Sequence, residues 1–133
     1  MLHLAKPVEK WDCYFDMVTN YGTSEHVDNQ YQVFRNMHNF TKVNGTMVHG
    51  GAPAYGYWPT HGHCNYELCF FEYLADLNNY DLVLSEMREK WSIVRKKMLG
   101  LVCVVFYKKD DKPFISLEEF QSIEGLKMNE PKK

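Results

Sequence analysis

His61, His63, Cys64 and Cys69 fall within nine residues, and all four side chains can ligate a metal. In an extended segment, side chains two apart share a face, so His61 and His63 can grip one ion. Cys64 and Cys69 can then complete the tetrahedron that zinc prefers, with His49 as a substitute donor. No Cys-x-x-Cys pair reinforces the set, and five residues along a helix do not place Cys69 squarely over Cys64. Cys64 also stands just before an expected helix, where the N-terminal dipole lowers a thiol pKa and favours a nucleophile. Zinc is the one cofactor this pattern points to. A small zinc- or thiol-dependent enzyme using the His61/His63/Cys64 region is therefore the alternative functional reading.

Tyr55, Tyr57 and Trp58 form the other candidate. They stand among Gly50, Gly51, Pro53, Gly56, Pro59 and Gly62, and stiff ends reduce the entropy that aromatic anchors lose on binding. Tyr55 and Tyr57 share one face of an extended segment and Trp58 points away. From Val43 to His63 the segment holds no Lys or Arg, so nothing local attracts a phosphate backbone and nucleic acid is an unlikely partner. The leading expectation is a non-catalytic protein-interaction protein: an accessory subunit of a larger assembly, or a stoichiometric binder and regulator of a macromolecular partner.

Two short resemblances carry less. Asn44–Gly51 resembles the loop before the central helix of hotdog-fold thioesterases, but Pro53, Gly56 and Pro59 forbid that helix here. Tyr107–Phe120 is similar to an EF-hand loop and its exit. Lys108 and Lys112 occupy two ligand positions and Pro113 replaces the turn glycine, which removes calcium binding.

The elements that must position these residues are read from periodicity. Pro7 opens a first helix with Val8, Trp11, Phe15 and Val18 on one stripe and Gly22 as its stop. Ser24 caps a second, carrying Val27, Tyr31, Phe34 and His38. Asn44-Gly45 signals a hairpin near 41–48, and His49–His63 reads as a long ordered loop. Helices follow over Asn65–Asn79 and from Asp81 to Gly100, the latter with a seam of Leu84, Met87, Trp91, Val94 and Met98. Leu101–Tyr107 is β-rich and reads as a strand covered on both faces. Ser116-Leu117-Glu118-Glu119 is a capping box with a staple of Ile115 on Phe120. The expectation is a helix-dominated α+β domain of about five helices over residues 1–126, with a small sheet and a polar tail at 127–133.

Composition sets the bounds. The chain has 133 residues, 45% hydrophobic, with 15 Lys+Arg against 17 Asp+Glu and a formal net charge of −2. That excludes collagen, coiled coil and wholesale disorder, and it opposes a strongly basic nucleic-acid binder. The longest apolar run, Met98–Tyr107, is half a membrane span. The N-terminus has no signal-peptide run and the four cysteines are scattered. The expected location is therefore intracellular, in the cytoplasm or an organelle interior, and not secreted.

Overall fold

The computed structural model describes residues 3–56 and 61–129. The elements are β1 (Phe15–Tyr21), a single 3-10 turn (Ser24–His26), α1 (Gln30–Phe40), β2 (Thr41–Tyr55), β3 (Cys64–Tyr66), α2 (Leu68–Leu77), β4 (Asp81–Ser92), β5 (Lys97–Tyr107), α3 (Leu117–Gln121) and β6 (Leu126–Met128). One sheet has the order β1-β2-β5-β4, and β3 pairs with β6 separately. β1 runs parallel to β2, and the other neighbours are antiparallel. The expected helix-dominated fold with about five helices is corrected. Among the described residues the domain is sheet-dominated α+β, with six strands and three α-helices.

Two expected helices are strands. The segment 81–98 satisfies a 3,4 spacing, but its side chains point alternately to the two faces of a strand. Leu84, Glu86 and Arg88 face one side of β4, while Ser85, Met87 and Glu89 face the other. The apolar run of β5 offers an antiparallel ladder from Asp81–Tyr107 to Ser92–Lys97, with one register shift between Leu82 and Leu84, and tertiary pairing overrides local propensity. Lys96 takes a left-handed φ of +51° in the tight turn between them. The Phe15–Val18 stripe likewise belongs to β1. Trp11 does meet Phe15 and Phe40, but Trp11 stands in a turn and Phe15 in a strand.

The hairpin expected at 41–48 is one continuous strand. Asn44 adopts φ +63° and the register against β1 jumps from Phe15–Thr41 to Met17–Thr46. Asn44-Gly45 thus makes a bulge and does not turn the chain. Asn44 N–H donates to Lys108 O, and Lys108 N–H donates to Gly45 O, so the bulge is anchored beyond the end of β5. β2 also takes the first half of the expected loop. Asn65 lies in β3 and does not cap α2, which begins at Leu68. Lys127 and Met128, expected in the tail, pair with Asn65 and Cys64, while residues 130–133 lie outside those described.

α1 and α2 cover one face of the sheet. Val33, Phe34 and Met37 from α1 and Phe70, Phe71 and Leu74 from α2 pack on Met47, Val102, Val104 and Phe106. Leu101, Cys103 and Val105, on the opposite face, are only half-buried, so β5 is not covered on both sides. The capping box forms as read: Ser116 Oγ accepts from Glu119 N–H, Glu119 accepts from Ser116 N–H, and Ile115 and Phe120 are buried. No described helix is long and apolar enough to cross a membrane.

Candidate metal centre

Asn20 and His49 are direct neighbours across the parallel β1–β2 pair, and both side chains point inward. Asn20 Nδ2 donates to His49 Nδ1 at 3.2 Å and to Ser24 Oγ at 2.8 Å, while Asn20 Oδ1 accepts from Ser24 N–H at 3.1 Å. His49 is enclosed by Phe34, Phe71 and Phe106, and burial holds its pKa down at about 3. A neutral imidazole accepting from an amide is what this pairing requires.

The same network fixes the 3-10 turn. The Tyr66 hydroxyl lies 3.0 Å from Ser24 Oγ and donates to Gln30 Oε1 at 2.6 Å, and Gln30 Nε2 donates to Ser24 O at 2.8 Å. Every one of these groups is buried, so a buried polar network specifies where residues 24–26 sit. The next residue inward is Glu25, only 2% exposed. One carboxylate oxygen, Oε2, is buried with no hydrogen-bond partner, and Oε1 lies 3.8 Å from His26 Nε2.

The third member arrives from a remote segment. Gly62 takes φ +70°, and a Cβ there would come within 2.5 Å of Glu25 O, so the 61–63 turn lies directly on the Glu25 backbone. His63 N–H donates to Glu25 O. On the other side Asn129 Nδ2 donates to His61 O (3.1 Å) and Gly62 O (3.3 Å), and Asn129 N–H donates to His63 O at 2.7 Å. The His26 and His61 rings meet edge-on, with centroids 5.2 Å apart. The ligand atoms of Glu25, His26 and His61 lie within 4.8 Å of one another, the one such group of three among the described residues.

Two of these donors are poised for an ion. Burial foremost, then the charge of His26, lowers the His61 pKa, with Arg95 adding to the effect and Glu25 opposing it. A neutral imidazole is the form that binds metal. A buried carboxylate oxygen without a partner carries a desolvation penalty of several kcal/mol, which a cation removes. Zinc ligands at 2.0–2.1 Å in a tetrahedron stand about 3.4 Å apart, so closing the site takes side-chain shifts of about 1 Å.

His26 also lines a cleft of about 410 Å³ whose walls include His3, Asp28 and His63. Four of the six histidines therefore converge on one corner, from residues 3, 26, 61 and 63; the other two, His38 and His49, are buried in the core.

Of the four metal ligands read from the sequence, the structure brings only His61 into this group. His63 is exposed on the cleft wall. Cys64 is fully buried, and burial pushes its thiol up to about 11, so it is protonated at neutral pH and closed to solvent. Cys69 sits on α2, its Sγ 3.7 Å from Glu67 Oε2 and packed against Gly125; burial and then the Glu67 charge raise its pKa. His49 belongs to the core. Tyr55 ends β2 opposite Gly100, with its ring over that glycine and its hydroxyl donating to Glu89. Tyr57 and Trp58 lie outside the described residues.

Glu25 and His26 were missed from sequence because no local spacing joins them to His61. Their signal was the Ser24-Glu25-His26 tripeptide in a segment read as a helix start. Comparison with known protein families and with curated proteins finds no match.

Proposed function

We propose that this protein binds one divalent transition ion, zinc foremost, through Glu25, His26 and His61. The observation that carries the reading is the buried, partnerless oxygen of Glu25 beside two histidine rings. One carboxylate and two imidazoles form an N/O donor set suited to zinc or to another late first-row ion. Three protein donors leave one position for water or an external ligand, which is the pattern of catalytic zinc sites; structural sites are closed by four. One of the three donors, His26, also lines the histidine-rich cleft. The function supported best is therefore Lewis-acid chemistry on a small ligand entering the cleft, by a zinc-dependent enzyme whose donor set differs from the one read in the sequence.

Cobalt(II) titration of the purified protein tests this. One equivalent taken up without a thiolate charge-transfer band, and more than about tenfold weaker binding in Glu25→Gln and His61→Ala, is expected. His63→Ala and Cys69→Ser should bind as the parent does. No uptake, or uptake lost only with Cys69, would sink the reading.

A second reading, docking of a macromolecular partner, has its own observation. Met17 and Tyr21 of β1 and Leu84 of β4 are 60%, 66% and 37% exposed, and they share the uncovered sheet face with half-buried Val48 and Val105. Introducing charge there, for example Met17→Glu with Val105→Glu, should abolish capture by a partner while leaving cobalt uptake unchanged.

A further inference from the structure

A second cavity lies between the N-terminal segment, β1 and α1, and shares Leu4 with the wall of the histidine cleft. It holds about 280 Å³, and its walls are mainly Leu4, Trp11, Phe15, Val18, Met37 and Phe40. The rings of Trp11, Phe15 and Phe40 are set edge-to-face, Trp11 lying 6.2 Å from Phe15 and 5.9 Å from Phe40.

The rim is tied in place. Asn36, 1% exposed on α1, donates from Nδ2 to Leu4 O (3.0 Å) and Lys6 O (2.8 Å), and its Oδ1 accepts from Val8 N–H (3.3 Å) and Gln32 Nε2 (2.8 Å). A buried asparagine with four bonds straps residues 4–8 across the helix, so the wall does not depend on Leu4 packing alone.

Three polar residues, Thr19, Asn20 and Thr23, stand at the edge, and two of them are engaged elsewhere. Both ends of the Asn20 amide are bonded to Ser24 and His49, and Thr23 Oγ1 donates to Tyr21 O at 3.2 Å. No Lys, Arg, Asp, Glu or His is among the lining residues. Water in such a space finds few partners, and apolar groups that displace it gain affinity. An engineered cavity of about 150 Å³ with apolar walls binds benzene in another protein, so a space of about twice that volume fits about two fused rings.

We infer that this cavity is a binding site for a small, uncharged aromatic molecule of about two rings. The site holds none of the metal-centre donors and needs no ion. Fluorine NMR with fluoronaphthalene as probe tests it. The expected results are a saturable shifted resonance at one equivalent and at least about tenfold weaker binding of the carboxylated analogue, fluoronaphthoate, for want of a cation in the wall. Val18→Phe, which fills the space from a half-buried position, should abolish the shifted resonance with no loss of melting temperature. Leu4→Ala should keep the probe and also admit a fluorinated three-ring analogue. No saturable binding, equal binding of the carboxylate, or binding that survives Val18→Phe in a folded protein would overturn the inference.

Discussion

Lowering the pH from 7 to 5 in a chelating buffer should destabilise the fold by about 4 kcal/mol through two buried histidines. His49 is enclosed by Phe34, Phe71 and Phe106, and burial lowers its pKa from 6.5 to about 3. His38 is lowered to about 3 as well, first by burial and then by the charge of Lys108, with a bond to the Lys112 backbone and the charge of Asp110 opposing. Its Nδ1 lies 2.6 Å from the Tyr80 hydroxyl. In both cases the folded pKa is depressed, so the unfolded chain binds more protons below about 6.5 and stability falls with pH. Between pH 7 and pH 5 each unfolded histidine gains about 1.9 kcal/mol of proton binding that its folded counterpart does not, about 4 kcal/mol for the pair. The lowered carboxylates of Glu67, Asp110 and Glu119 titrate below this window. His61, also lowered, adds a smaller amount of the same sign. Urea unfolding at both pH values measures the change, and His49→Asn should remove about half of the slope. A stability constant to within about 0.5 kcal/mol, or an NMR titration of either ring near 6, would refute the reasoning.

Three further outcomes follow from particular contacts. Gly62→Ala should weaken cobalt binding by more than about tenfold and destabilise the fold by about 1–3 kcal/mol, because φ +70° and the contact with Glu25 O both oppose a side chain; titration and thermal unfolding check the two effects, and unchanged cobalt affinity would free the ion from the 61–63 turn. Ser116→Ala should cost about 1 kcal/mol by removing the cap of α3, measured by urea unfolding. Trp91→Ala should cost less than about 1 kcal/mol, since the ring is 59% exposed on β4, and a loss of 3 kcal/mol or more would restore it to the core.

What the sequence made legible is what local rules decide. Ser116 and Glu119 three residues apart define a cap whatever surrounds them, and the stripe Tyr31, Phe34, His38 places α1 against the core. The run Leu101–Tyr107 reads as a strand because β-branched side chains fill it. Asp81–Met98 defeats the same rules, since its apolar residues keep the helical spacing and only pairing with the partner strand β5 makes it a strand. Asn44-Gly45 names a local conformation, left-handed at Asn44, but whether the chain then reverses or bulges depends on β1 and β5. The candidate centre was half visible: His61 stood out beside His63, whereas Glu25 and His26 join it only through the Gly62 turn and the Asn129 clamp.

Anomalous X-ray diffraction at the zinc edge, from crystals grown with one equivalent of zinc, tests the metal centre most directly. The account predicts one peak, about 2.0–2.2 Å from a Glu25 carboxylate oxygen, a His26 nitrogen and a His61 nitrogen, with water or an added ligand in the remaining position. A peak on Cys69 or on His63 without Glu25, or no peak in crystals that show the side chains clearly, would contradict it.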